Sequence, residues 1–381
     1  MKILHVIHSV DPRGGGPIEG IRQLIPALAH LGVETEVMSL DAPGSPGTTD
    51  FPVPLHVTGP ARFGPVYGYN PRAVPWLIEN RGRFDAVIVN GLWQYTGFTV
   101  WRALHGTSTP YYVYPHGMLD PWFKRHYPVK HLKKWLYWPW AEYRVLRDAA
   151  AVLFTSEEER LLARQSFPLY QCREVVTGYG IAAPSGDASS QRDLFLNRHP
   201  GLKEKRFVLF LGRIHEKKGC DLLLRAWKEV APAGLHLVMA GPDDHPYGLA
   251  LKKLAGELGL ESQVTWAGMI TGENKWVSFR AADAFILPSH QENFGISVVE
   301  ALACGVPALI SNKVNIWREI SEDEAGLVEN DDLAGTIRLL KRWLDLGPSA
   351  QEAMRLRGRQ CFEKRFDISR TAEALKTLLV C

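Results

Sequence analysis

A two-domain α/β protein with a parallel sheet in each domain is what this sequence predicts, and three observations predict it. At 381 residues the chain exceeds one ordinary core and suits two domains. Strand-like and helix-like segments alternate through the first half, stop, and restart. Each half also opens the same way, with an apolar strand running into a glycine-bearing basic loop: Ile3 to Gly16 in the first, Val208 to Gly219 in the second.

In the first half, residues 3–7 read as a strand, 18–31 as a helix, and 34–40, 86–89, 111–114 and 151–154 as further strands. Alternation of this kind is the pattern of a parallel α/β sheet. Between Ile181 and Lys205 the composition turns to Pro, Gly, Ser, Asp and Arg with few aliphatics, as in Ala183-Pro-Ser-Gly-Asp-Ala-Ser-Ser190, which predicts an interdomain linker over 183–204. The alternation then restarts with strand 206–211, helix 220–230, strand 236–240, helix 247–258, strand 264–267 and strand 284–287. From Gly295 the apolar positions Ile296, Val299, Leu302 and Ala303 recur at helical spacing, and Gly305 followed by Pro307 supplies a stop. The predicted domains are 1–182 and 205–365.

Composition sets limits. Hydrophobic residues make up 46% and charged residues 22%, ordinary for a globular enzyme, and a net charge of +3 is too small to point to nucleic acid as a partner. The start, Met1-Lys-Ile-Leu-His-Val-Ile-His8, is interrupted by histidines and lacks the apolar stretch of a signal peptide, and no segment has the length of a membrane span. Cys172, Cys220, Cys304, Cys361 and Cys381 are odd in number, widely spaced and without a Cys-x-x-Cys pair. Reduced thiols in the cytoplasm are expected, rather than a disulfide frame or a zinc site.

The chemistry-bearing residues gather at strand ends, where ligands of open α/β sheets bind. Gly14, Gly15 and Gly16 follow the first strand and precede a helix; they either let backbone amides approach a phosphate or make a tight turn. Arg213 and Lys218, in Gly212-Arg-Ile-His-Glu-Lys-Lys-Gly219, can bracket a diphosphate, Arg as a planar fork and Lys as a point charge; the alternative is a solvated basic turn. His116, in Pro115-His-Gly117, is either structural or catalytic. Glu292 falls in the loop after strand 284–287, and Glu300, eight positions on, lies inside the next helix, roughly 7.5 Å from its start at 1.5 Å per residue. Backbone amides near Phe294 and Gly295 face the same loop mouth and suit an anion. Two carboxylates with an anion site between them match the layout of a nucleotide sugar. Residues 118–145 interleave Trp122, Phe123, Trp135, Tyr137, Trp138 and Trp140 with Lys124, Arg125, Lys130, Lys133, Lys134 and Arg144, and Pro128 and Pro139 break the run. Such a segment suits an anionic membrane surface, a core, or an acceptor groove.

Gly212 to Gly219 with Arg213 and Lys218, Gly241-Pro242 after a strand, and Glu292-x7-Glu300 followed by Ala301-Leu-Ala-Cys-Gly-Val-Pro307 resemble the donor site of the retaining glycosyltransferases of family 4, which have the GT-B fold. The resemblance covers nearly the whole chain. It implies an amino-terminal acceptor domain, a carboxy-terminal nucleotide-sugar domain facing it across a central cleft, and a final helix, about 366–381, that crosses back to the first domain. It further implies Arg213 and Lys218 on the diphosphate, Glu300 on the ribose hydroxyls, Glu292 with the backbone of Asn293, Phe294 and Gly295 on the transferred sugar, Gly14 to Gly16 closing over the phosphates, and His116 near the anomeric carbon. The expected reaction transfers a hexosyl group, with retention and without a metal, from a nucleoside diphosphate sugar to a saccharide or lipid-linked oligosaccharide. Arg213 and Lys218 take the part a divalent ion would otherwise play, and Asp243-Asp244 are read as loop residues. No cofactor is expected. The protein is expected in the cytoplasm, with a peripheral contact to the inner face of a membrane through residues 122–144. Two alternatives stay open: a nucleotide-sugar epimerase of the same architecture, and a catalytically silent nucleotide-sugar-binding subunit.

Overall fold

Parallel pairing organises both halves of the chain. The structure, a computed structural model, describes residues 1–60, 67–184, 195–197, 199–203 and 205–380, with the backbone alone at 125. Two units emerge: Met1–Ala182 together with Ile368–Cys381, and Ala183–Asp367.

The first unit holds seven strands, β1 (Lys2–Ile7), β2 (Glu34–Ser39), β3 (Leu55–Val57), β4 (Ala86–Asn90), β5 (Tyr111–Tyr114), β6 (Ala151–Phe154) and β7 (Glu174–Val176). They lie in the order β3-β2-β1-β4-β5-β6-β7, every neighbouring pair parallel. Register aligns three strand ends: Ile7 faces Asn90, and Asn90 faces Tyr114. The helix Gly16–His30 buries Ile18, Ile21, Leu24, Ile25 and Leu28, a stripe at helical spacing. The final helix Ile368–Val380 shares the apolar cluster of Leu24 and Leu28 through Ala372 and Leu375, and the Ile368 amide donates to Ile181 O at 3.0 Å.

The second unit holds β8 (Arg206–Leu211), β9 (Leu235–Ala240), β10 (Val264–Gly268), β11 (Ala284–Leu287), β12 (Ala308–Ser311) and β13 (Gly326–Glu329), parallel in the order β10-β9-β8-β11-β12-β13. These strands are covered on both faces, so Phe207 to Leu211 and Ala284 to Leu287 are continuous apolar runs, buried throughout.

Of the expected linker 183–204, residues 185–194, 198 and 204 lie outside the described residues. Within the expected linker 183–204, the described residues belong to the second unit: Phe195 and Leu202 are buried, and the Phe195 ring sits 5.7 Å from that of Phe207. Four strands escaped the sequence reading, β3, β7, β12 and β13, each of three or four residues. Among the described residues no helix is long and apolar enough to cross a membrane.

Candidate active site

In the second sheet the chain runs from β8 outward through β9 and β10, then restarts on the other side of β8 with β11. Exit loops diverge at such a switch point and leave a crevice beyond the strand ends. The loop after β8 carries Arg213, then a short 3-10 turn Glu216–Lys218, then Gly219 and the helix Cys220–Val230. Gly219 has φ +64°, and a Cβ there would stand 2.2 Å from Pro288 O, so only glycine lets this loop close onto the exit of β11. The His290 amide fastens the two loops by donating to Lys217 O at 2.7 Å.

That closure brings together residues 74 positions apart: the Lys218 ammonium contacts the Glu292 carboxylate. Glu292 is held on its other side by backbone, its amide donating to Lys313 O at 2.9 Å and its carbonyl accepting from the Asn315 amide at 3.0 Å. Burial, then the Arg213 charge, push the Lys218 pKa down to about 8. Arg213 itself is exposed, and among the described residues no carboxylate pairs with it. The loop therefore offers an unneutralised guanidinium beside a lysine whose only counter-ion among the described residues is Glu292.

Glu300 lies on the helix Ile296–Ala303, four residues from its start and so about 6 Å along it. This corrects the longer distance expected from Gly295, because Gly295 is the cap, with φ +78°. Glu300 is 4% exposed, and its carboxylate contacts the ammonium of Lys275, from the helix Glu273–Ala281. Lys275 also lies 4.8 Å from the Trp276 ring. Phe294 is buried, edge-on to Phe366 at 5.8 Å, so its ring belongs to the core and only its backbone borders the loop. Asn293 lies in the same turn, ahead of Gly295. Asp243 pairs with Lys252 at 2.9 Å, and among the described residues no three His, Cys, Asp or Glu side chains cluster as a metal site.

The first sheet has its own switch point, between β1 and β4. Gly14, Gly15 and Gly16 follow β1: residues Pro12–Gly14 form a 3-10 turn, Gly15 takes φ +83° and Gly16 starts the helix. After β5, His116 adopts φ +49°, a left-handed conformation uncommon outside glycine. Glu159 imposes it. This buried carboxylate accepts from the Gly117 amide at 2.5 Å and from the Thr155 amide at 2.8 Å, and so grips the Pro-His-Gly turn from the helix Glu157–Ala163. The His116 ring stacks on Tyr114 and lies 3.3 Å from Asn90 Oδ1 through Nε2, while Asn90 Nδ2 is 3.2 Å from His5 Nδ1. Burial, then His5, hold the His116 pKa down to about 4, so at neutral pH its ring is an uncharged hydrogen-bonding group. Trp93 follows β4 with φ +65°, its amide donating to the buried Glu142 at 2.6 Å. Burial pushes the Glu142 carboxyl up to about 8.

The structure thus joins Arg213, Lys218, Glu292, Asn293, Gly295 and Glu300 around one sheet's switch point, and Gly14 to Gly16 and His116 around the other's. Sequence reasoning missed Lys275, Glu159 and Asn90. Only Glu159 left a local signal, the Ser156-x-x-Glu159 spacing of a capping box. The basic aromatic segment divides: Trp138 is core, Tyr137 Oη lies 2.6 Å from Tyr67 Oη, and Trp135 and Trp140 are exposed.

Comparison with known proteins bears on both halves. Residues 192–360 match the family model for glycosyl transferases group 1, and residues 15–180 that for a glycosyl transferase 4-like domain. The chain is 34% identical over 152 residues to D-inositol 3-phosphate glycosyltransferase of Mycolicibacterium smegmatis, covering 39% of this chain and 34% of that protein. It is 31% identical over 187 residues to alpha-D-kanosaminyltransferase of Streptomyces kanamyceticus, covering 48% of each. The matches thus span less than half the length of these curated relatives. Among solved structures, a glycosyltransferase from Rickettsia africae superposes with TM-score 0.78 at 15% identity, over 99% of this chain and 97% of that one. Anabaena HepE in complex with UDP and glucose superposes with TM-score 0.76 at 17% identity, over 100% and 99%. The fold is the GT-B type, two Rossmann-like parallel-sheet domains.

Proposed function

Because the chain belongs to the glycosyl transferases of group 1, we propose that it moves a hexosyl group from a nucleoside diphosphate sugar to a saccharide or lipid-linked oligosaccharide acceptor, with retention of configuration, in glycan biosynthesis. The observation that carries the reading is the second unit's switch point, where Arg213, exposed and without a carboxylate partner among the described residues, stands in the loop that brings Lys218 onto Glu292. A diphosphate supplies the anion that this loop lacks. HepE, bound to UDP and glucose in its structure, lends support to a donor of that class.

Arg213 and Lys218 bind the diphosphate and stabilise it as it leaves. Glu292 and the backbone from Asn293 to Gly295 orient the transferred sugar, and Glu300, held by Lys275, accepts from ribose hydroxyls. The bond from the anomeric carbon to the diphosphate oxygen breaks, and the acceptor oxygen bonds the same face through an oxocarbenium-like state. The acceptor proton passes to the leaving diphosphate. His116 contacts donor hydroxyls as a neutral ring, and Gly14 to Gly16 close on the phosphates. No metal takes part, because two cations already neutralise the leaving charge. The enzyme works in the cytoplasm.

The test is a panel of nucleotide sugars incubated with the protein in the presence of a chelator. Release of nucleoside diphosphate with sugar appearing in water or acceptor, its anomeric configuration kept, is expected. Interconversion of the nucleotide sugar would mean an epimerase, and binding without turnover a silent subunit. Turnover that needs an added divalent ion would refute the metal-free route.

A further inference from the structure

An amphipathic helix in a globular protein normally turns its apolar stripe inward. The helix Pro128–Tyr137 does the reverse. Val129 is 71% exposed, Leu132 59%, Trp135 48% and Leu136 60%, and Trp140, just beyond the helix, is 70% exposed. At 3.6 residues per turn the four helical positions fall within roughly 120° of its circumference. The opposite side holds His131, Lys134 and Tyr137, and these make the contacts with the first unit. The His131 ring stacks on Phe167 at 4.8 Å, the Lys134 ammonium lies 4.7 Å from the Trp93 ring centre, and Tyr137 meets Tyr67. Polar side chains seat the helix and apolar ones face outward, so core packing does not account for the ridge.

Charge selects the occupant. From Pro121 to Ala141 the sequence has five Lys or Arg and neither Asp nor Glu. Lys134 is turned inward, while Lys124, Lys130 and Lys133 are exposed, Lys133 flanking the ridge and Lys130 on the far side of the helix. A second copy of the chain docked through the ridge would bring the flanking Lys133 side chains together across a two-fold axis, which like charges oppose. An anionic lipid surface attracts each of them, and tryptophan side chains suit the level of the headgroups.

We propose that the outward face of Pro128–Tyr137, extended by Trp140, docks onto an anionic bilayer, the helix lying in the interface with Val129, Leu132, Trp135 and Leu136 sunk toward the acyl chains. The contact of Lys134 with Trp93 places this surface beside the exit loop of β4, at the switch point of the first sheet. That neighbourhood gives the membrane face a purpose, the presentation of a lipid-borne acceptor; only this purpose rests on the transferase reading.

The experiment is flotation of the full chain with phosphatidylcholine vesicles and with vesicles of mixed phosphatidylcholine and phosphatidylglycerol. Three proteins are compared: wild type, Leu132→Ser/Leu136→Ser, and Lys130→Glu/Lys133→Glu. All substituted side chains are exposed, and melting temperatures are expected to match. The expected result is wild-type binding to the mixed vesicles that weakens with salt, little binding to phosphatidylcholine alone, and at least a tenfold loss in each variant. Absence of wild-type binding, or equal binding to both vesicle types, would overturn the proposal. A concentration-dependent dimer abolished by Leu132→Ser/Leu136→Ser would overturn it too, by making a second copy the occupant. Donor hydrolysis in the same preparations separates the two readings: vesicle binding without hydrolysis supports docking and removes the transferase, whereas hydrolysis without vesicle binding removes docking alone.

Discussion

Replacing Lys218 by alanine has two separable consequences, and the contact with Glu292 is what separates them. If Lys218 stabilises the departing diphosphate, its loss removes a charge that acts in the transition state. Donors of that kind contribute about 100-fold to 1000-fold in rate, or about 3–4 kcal/mol at 1.36 kcal/mol per decade. The same substitution strands the Glu292 carboxylate. Its side chain keeps 21% exposure, so the cost falls short of that for a fully buried pair and amounts to about 1–3 kcal/mol. In a domain of this size that lowers the melting temperature by several degrees, on the order of 2–4 °C per kcal/mol. Adding Glu292→Ala removes the stranded charge. The double variant should therefore melt close to wild type while transfer stays at or below the rate of Lys218→Ala. Initial rates of diphosphate release and thermal unfolding of the four proteins in the cycle measure both effects. Near-normal turnover in Lys218→Ala, or a double variant that recovers rate along with stability, would refute the reasoning and leave Lys218 as a mere counter-ion for Glu292.

Titration calorimetry with a nucleoside diphosphate should show Glu300→Ala binding about 10-fold to 100-fold more weakly. Lys275→Met should lose most of the same affinity, and the double variant should be no worse than Glu300→Ala alone; normal binding by Lys275→Met would remove its positioning role. Since the Lys218 pKa is lowered to about 8, diphosphate affinity should fall as pH rises through that value, and Lys218→Ala should lack the break; a flat wild-type profile would count against the contact. His5 and His116 are held to about 4 by burial against an ordinary 6.5, so between those values the unfolded chain binds protons that the native state refuses. Stability present above pH 6.5 should therefore drain away as pH falls toward 4, by about 3 kcal/mol for His5 and less for the partly exposed His116. Denaturant titrations should show a smaller acid loss in His116→Asn, and an unchanged loss would assign the effect elsewhere.

The parallel sheets were legible because strands buried on both faces must be apolar throughout, as Phe207 to Leu211 and Ala284 to Leu287 are. Strands β3 and β7 were not, being three residues long at the edges of the first sheet, where no period can establish itself. Locating Arg213, Lys218, Glu292 and His116 at strand exits needed only the strand boundaries and the turn residues that follow. Their partners depend on which strands become neighbours. Lys218 meets Glu292 because β8 and β11 are adjacent, and Gly117 meets Glu159 because the turn after β5 meets the residues after β6. Sequence spacing carries no trace of either adjacency, so Glu292 could be assigned a place but not a partner, and Glu159 neither.

The paired arrangement of the second unit bears on how a donor would be told from its product. Lys218 contacts Glu292 and Lys275 contacts Glu300, so a diphosphate that engages Lys218 competes with Glu292 for one ammonium. A nucleoside diphosphate alone leaves Glu292 without its counter-ion, and its affinity is a difference between two charge contacts. A nucleotide sugar brings hydroxyls that donate to Glu292 and offset that loss. Affinity should then favour the intact donor over the spent diphosphate, by about tenfold if one hydrogen bond to a charged group decides it. Glu292→Gln has no charge to strand: it should bind the diphosphate as well as or better than wild type, bind the donor more weakly, and shrink the ratio toward one. Calorimetry with a non-hydrolysable donor and with the diphosphate gives the two constants for each protein. A ratio unaltered by Glu292→Gln would separate Glu292 from the sugar and reduce its pairing with Lys218 to loop architecture.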